Sequence, residues 1–240
     1  MRKDHRPYYI KKAWFDIQKF YIRHFLSPHL DFLGQNPYIV KPWHVEIFGA
    51  PVTIGDNITL LAASDKKTRL TVWSGKKDIK GIRIGDHVLI SPGVRISAAE
   101  KIIINDNCML ASNVYITDSD WHGIYDRSMP SEKACPVQLE PNVWVGDSAI
   151  ICKGVTIGEN SIIGAGSVVV SDIPSRCIAA GNPAKIVKKL DPERKIITRR
   201  DRFSDTDRIT MLLDESDRKI LSGNTLAGWL RYLFFPSKQD

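Results

Sequence analysis

Cysteine is scarce in this sequence and nowhere closely paired. The four cysteines (Cys108, Cys135, Cys152, Cys177) form no CxxC pair. Their spread argues against a thiolate metal knot or a disulfide-stapled fold, and for a reducing, cytoplasmic setting. Long uncharged apolar runs are also missing, and the N-terminus (MRKDHRPYYIKK) is polar, so neither a membrane-spanning helix nor a signal peptide is expected. Acidic residues are the minority: 34 Lys and Arg face 27 Asp and Glu, a net charge of +7. That balance leaves three partner classes: nucleic acid, an anionic membrane surface, or a phosphate-bearing small molecule. Nucleic acid is disfavoured. The basic residues gather at the two ends, mixed with acids and without the interleaved aromatics of a base-stacking platform.

A period of six runs through the middle of the chain. Val145, Ile151, Ile157, Ile163 and Val169 recur at that interval, and a small or β-branched residue (Ala149, Val155, Ser161, Ser167) stands four places after each of the first four. Gly146, Gly158 and Gly164 follow their aliphatic residues directly. A helix would scatter positions six apart over different faces, and a strand alternates every two. A period of six requires a chain bent at regular corners, with one aliphatic side chain turned inward per flat segment. Such coils bury their apolar residues only by stacking on one another.

Residues 1–45 stand outside the repeat. Ile10, Ala13, Trp14, Ile17, Phe20, Tyr21, His24 and Phe25 keep helical spacing up to Pro28, with a basic polar face. This helix either caps an open end of the coil or rests on an anionic membrane. Residues 46–180 are expected to form the coil. It begins loosely around Ile54 and Leu60, continues through a strand-like Leu70–Trp73, and gains phase at Ile84, Ile90 and Ile96. A shift of two residues falls at Ala98–Lys101, before Ile104, Leu110 and Ile116. The period stops at Thr117 and resumes near Val143, so residues 117–142 leave the scaffold as an excursion, where function is expected. In 181–240, Pro183 suits the first turn of a short helix through Leu190, and a charged, partly mobile arm follows. Leu226, Trp229, Leu230, Leu233 and Phe234 then restore helical spacing between Thr225 and Pro236.

These residues resemble the hexapeptide-repeat acyltransferases, and within them the galactoside and maltose O-acetyltransferase branch. The resemblance rests on Asn142-Val143-Trp144-Val145-Gly146, on GVTIGENSIIGAGSVV, and on Ala180-Gly181-Asn182-Pro183-Ala184-Lys185-Ile186-Val187. It implies an all-β solenoid, a left-handed parallel β-helix with an N-terminal helix and short C-terminal helices. It also implies a homotrimer, with acetyl-CoA held in a crevice between neighbours.

Acetyl transfer from a thioester to a hydroxyl needs a base on the attacking oxygen and donors for the oxyanion. Histidine is the side chain suited to that base near neutral pH. In the resembling enzymes the catalytic histidine sits where this loop leaves the coil, which maps the role to His122. Asp118 and Asp120 either orient its imidazole or form Asx turns. Direct transfer needs no nucleophilic side chain, so Cys135 in the same loop is discounted. Position by position, the resemblance assigns Trp144, Asp147, Ala165, Val170 and Ser171 to the CoA groove, and Lys185 and Lys188 to its phosphates. Val170-Ser171 replaces a frequent Thr-Lys, and Asp147 a frequent Ser or Gly. Arg95 and Tyr115, one eighteen-residue turn plus the two-residue shift apart, should stack on neighbouring coils. There they are either acceptor-binding residues or ordinary outward rungs. The asparagine that relatives use for sugar binding aligns near Gly93.

The expected activity is acetyl-CoA-dependent O-acetylation of a saccharide, in surface polysaccharide or glycolipid synthesis, with a saccharide or lipid-linked saccharide as acceptor. The alternatives are N-acetylation of an amino sugar and a non-catalytic β-helix assembly module. The zinc enzymes of this fold need three histidines, whereas only His87 and His122 lie in the solenoid and no His-x4-His follows, so no metal is expected. The amphipathic ends leave peripheral contact with the inner membrane face as a further expectation.

Overall fold

The computed structural model describes residues 3–74, 78–129 and 133–237. The chain divides into two units, residues 21–202 and residues 1–20 with 203–240.

In the first unit successive strands go to three different sheets in rotation. Val52–Ile54 joins sheet A, Thr59–Leu61 sheet B and Thr68–Val72 sheet C, and Gly81–Ile84 then returns to sheet A beside Val52–Ile54. Among the described residues sheets A and C have six strands each and sheet B eight, all parallel except the last strand of sheet B. The result is a three-sided parallel β-helix. It starts earlier than the hexads suggest, because Phe32–Leu33 and Tyr38–Val40 already pair with Thr53–Ile54 and Thr59–Leu61.

The period of six places one aliphatic residue per side in the interior. On sheet A, Ile54, Ile84, Ile104, Leu139 and Ile157 lie in register. On sheet B the rungs are Leu60, Ile90, Leu110, Val145 and Ile163, and on sheet C Leu70, Ile96, Ile116, Ile151 and Val169. All are buried, each worth about 1.5–3 kcal/mol of transfer free energy. The small fourth residues are buried between rungs, and the two serines among them serve the backbone. Ser161 Oγ accepts the N–H of Cys177 at 3.0 Å, and Ser167 Oγ that of Gly181 at 3.1 Å. The turn from sheet A to sheet B needs a left-handed residue in each coil, supplied by Asn57, His87, Asn107, Asn142 and Asn160 at φ between 55° and 63°. Asparagine tolerates that region better than most residues, and His87 is one member of this corner ladder.

Two segments differ from expectation. Residues 184–189 form an antiparallel strand on Cys177–Gly181 instead of a helix. Gly181-Asn182-Pro183 turns the chain, and the β-branched pair Ile186-Val187 favours extension. Part of the charged stretch beyond Leu190 is tied to the coil. Arg199, at the start of the short helix α2 (Arg199–Arg202; α1 is Tyr8–Tyr21), donates to the His87 carbonyl at 2.8 Å and to Thr59 Oγ1 at 2.9 Å. Arg200 reaches Asp106 at 3.0 Å. After α1, the π-helical turn Ile22–Leu26 contributes Ile22 and Leu26 to the same apolar cluster as Ile39 and Val52.

The second unit holds the described part of α1 up to Phe20 with α3 (Thr206–Leu221) and α4 (Leu226–Phe234), the last capped by Thr225. Leu221 of α3 is buried and the His5 and Tyr232 rings stack, beside several polar contacts. Lys11 pairs with Asp217 at 2.7 Å, the Tyr8 hydroxyl donates to Asp214, and Asn224 Nδ2 donates to the carbonyls of Asp4 and Arg6. On α1 the buried residue is Gln18, while the apolar stripe Trp14, Ile17 and Phe20 is exposed. The stripes Leu212, Leu213 and Ile220 of α3, and Leu226, Leu230 and Leu233 of α4, are exposed as well. Among the described residues no helix is long and apolar enough to cross a membrane.

Candidate active site

The excursion opens at the corner between sheets C and A, directly after strand Tyr115–Thr117, and ends where Val137–Leu139 rejoins sheet A. Coil structure therefore resumes at Val137 rather than Val143. Val137 and Leu139 alternate inward around Gln138, a period of two too short to show as a hexad. The neck is closed by backbone. Cys135 N–H donates to the Asp118 carbonyl at 2.8 Å, and the Cys135 carbonyl accepts from Gly154 at 2.9 Å.

Asp118 is fully buried at this neck. Its Oδ1 accepts the N–H of Ala99 at 2.6 Å, and its Oδ2 those of Glu100 at 2.8 Å and Lys101 at 2.6 Å. These are the residues of the two-residue shift, whose wider corner leaves three N–H groups to be met by one carboxylate. Corners on the same edge of the prism use the device singly: Asp31 accepts from Val52 and Asp172 from Thr156. Asp118 is thus a corner clamp, and its oxygens are committed to backbone instead of to an imidazole. Asp120 is ion-paired with Lys153 on the next coil, which holds the lysine's pKa above its ordinary value. Among the described residues neither aspartate bonds to His122, which is exposed within the loop.

Trp121, at φ 68°, donates its indole N–H to the Tyr115 hydroxyl at 3.3 Å, and the Arg95 guanidinium lies 4.4 Å from the centre of the Tyr115 ring. The pairing of Arg95 with Tyr115 on adjacent coils of sheet C is as the spacing required. Trp121 and Lys153 were missed from sequence. Trp121 sits beside the histidine with no periodic signal, and Lys153 occupies an ordinary turn.

The remaining candidates occupy a second region. Trp144 is exposed on sheet B in a row with Ile162, Ile178 and, on the antiparallel strand, Lys188. The row is an apolar track ending in a cation, about 14 Å across three strand spacings. Asp147 and Ala165 sit at the corner between sheets B and C, tied by Gly166 N–H to the Asp147 carbonyl at 2.8 Å. Asn113 and Ser148 donate to the Asp147 carboxylate at 3.4 and 2.8 Å. Lys185 is exposed opposite Ala180. Val170 and Ser171 are not with this group. They are exposed after strand Val168–Val169, on the edge from which the His122 loop leaves. One chain therefore splits the set between two edges of the prism, with sheet C and its Arg95–Tyr115 pair between them.

Residues 136–171 match the family "bacterial transferase hexapeptide (six repeats)", and residues 81–118 match "hexapeptide repeat of succinyl-transferase". A Saccharomyces cerevisiae protein named "Putative acetyltransferase YJL218W" is 41% identical over 110 residues, which are 45% of this chain and 56% of that protein. A Staphylococcus aureus protein of similar name is 37% identical over 116 residues, 42% of this chain and 58% of the relative. The match thus spans a little over half the length of these curated relatives. Among solved structures, AntD, an N-acyltransferase from Bacillus cereus in complex with dTDP and 3-hydroxybutyryl-CoA, is similar in fold, with a TM-score of 0.57 at 19% identity over 80% of this chain and 96% of that one. Both matched segments lie on the coil, and over residues 81–118 and 136–171 the chain is similar to hexapeptide-repeat transferases.

Proposed function

We propose that the protein is an acetyl-CoA-dependent acetyltransferase acting on a saccharide hydroxyl, with His122 as general base. The observation that carries this reading is the long excursion of the coil after Thr117, clamped at its neck by Asp118 and presenting an exposed imidazole. In the proposed reaction the His122 imidazole takes the proton of the acceptor hydroxyl as its oxygen attacks the thioester carbonyl. The tetrahedral intermediate then collapses to the acetyl ester and CoA thiolate, which recovers the proton from the imidazolium. General-base assistance of this kind is worth about 10²–10⁴-fold.

The track from Trp144 to Lys188 suits pantetheine and a phosphate, apolar surface followed by a point charge. Its separation from the His122 edge within one chain supports a homotrimer, in which one subunit's loop meets the neighbour's groove; the left-handed sense of the coil is carried over from the resemblance. The test is release of free thiol from acetyl-CoA across a panel of sugars, amino sugars and lipid-linked saccharides. Acceptor-dependent release is the expected result. No release with any acceptor would count for the assembly-module reading, and release with amino sugars alone would convert the reading to N-acetylation.

Peripheral contact with an anionic membrane belongs to the same proposal. It is supported by the helices of the second unit, which leave Trp14, Ile17, Phe20, Leu230 and Leu233 exposed. Lys12 and Lys19 are exposed on the polar side of α1, against Asp16. An aromatic and aliphatic face with cations beside it suits a lipid interface.

A further inference from the structure

The outer face of sheet C carries two adjacent like charges that the coil does not need. Glu46, Arg69, Arg95 and Tyr115 occupy consecutive in-register positions there. Like charges directly opposite on neighbouring strands are destabilising, so Arg69 beside Arg95 costs stability unless an anion compensates it. Glu46 compensates only the first, accepting from Arg69 Nε at 2.7 Å and from Lys67 at 2.6 Å. Among the described residues the Arg95 side chain has no acid partner. Instead its guanidinium stacks on Tyr115, whose hydroxyl is held by Trp121, the residue before His122. Stacking fixes the plane of the guanidinium and leaves the N–H edge free. That is the arrangement for two-pronged recognition of a carboxylate or phosphate.

We propose that Arg95, positioned by Tyr115 and Trp121 and reinforced by Arg69, binds an acidic group on the acyl acceptor. The acceptor is then a saccharide bearing a carboxylate or phosphate. The inference rests on the acetyltransferase reading above, and it identifies the class of acceptor rather than the reaction. The neutral alternative, in which the row is merely outward coil surface, gives no reason for an unpaired arginine beside another arginine. A rival source of the same chemistry is the diphosphate of CoA itself.

The experiment measures kcat/KM by thiol release for matched acceptors, a uronic acid against its neutral hexose and a sugar phosphate against the free sugar. It uses the wild-type protein and the variants Arg95→Gln and Arg95→Lys, with the melting temperature as a folding control. Wild type is expected to prefer the acidic member by about tenfold or more, the scale of one charged hydrogen-bonded contact. Arg95→Gln should bring the ratio close to one, and Arg95→Lys should restore part of it, while the acetyl-CoA KM stays within about twofold. Equal or better use of the neutral member by wild type overturns the inference while leaving acetyl transfer intact. A rise confined to the acetyl-CoA KM overturns it in favour of the CoA diphosphate. Absence of thiol release with every acceptor removes the underlying activity, and with it this assignment.

Discussion

Cys135 donates its backbone N–H to the carbonyl of Asp118 at 2.8 Å, joining the two ends of the loop that carries His122. The closure fixes the root of the loop at the Asp118 corner. The position of His122 is therefore set by the Asp118 corner, and the first expectations concern that corner.

Asp118→Asn keeps the shape of the side chain but replaces one acceptor oxygen by an N–H2 group facing backbone donors. At least one buried N–H then loses its partner, a cost of about 1–3 kcal/mol. For a chain of this size the melting temperature should fall by about 2–4 °C per kcal/mol. Turnover should fall with it while acetyl-CoA affinity holds. An unchanged melting temperature would show that the clamp is dispensable.

Burial pushes the Cys108 thiol up to about 12, from an ordinary value of 9.0. The folded state thus holds its proton over a window in which the unfolded chain releases it. Unfolding free energy should therefore be fully retained below pH 9 and decline as pH rises from 9 toward 12. Cys108 should resist alkylation at pH 8 until the protein is unfolded. Rapid native labelling of Cys108, mapped by mass spectrometry, would contradict this burial.

Lys188→Glu reverses the charge at the end of the sheet B track without touching a buried residue. The acetyl-CoA KM should rise about tenfold or more, with kcat much less affected, as for loss of a binding contact made equally in ground and transition states. A fall in kcat alone would place the phosphates elsewhere.

The protein should float with vesicles rich in anionic lipid and less with zwitterionic ones. Ile17→Asp combined with Leu233→Asp, both at exposed positions, should abolish flotation and leave the melting temperature unchanged. Flotation indifferent to these changes would remove the helices from membrane contact.

The coil was legible because stacking imposes its own arithmetic. Each aliphatic residue of the Val145–Val169 series is a buried rung, and the Arg95–Tyr115 register followed from one turn plus a counted insertion. The helix expected over 183–190 was misread because Pro183 suits a helix start and a hairpin turn alike, and only pairing with Cys177–Gly181 decides between them. The resumption at Val137 was hidden by a strand too short to display a period of six. Asp118 looked like a candidate orienter because a carboxylate near a histidine is ambiguous in one dimension. Its partners, Ala99 to Lys101, lie a coil away. The apolar stripes of α1 and α4 were legible, but amphipathic spacing does not say which face meets protein, so docking and membrane contact stood open together.

The most direct measurement is steady-state thiol release by His122→Ala beside wild type, with acetyl-CoA binding followed by calorimetry. The account predicts a loss of about 10²–10⁴-fold in kcat with affinity for acetyl-CoA and melting temperature preserved, because an exposed imidazole contributes proton transfer and no packing. Turnover by the variant at the wild-type rate would contradict it and return the His122 loop to mere decoration of the coil.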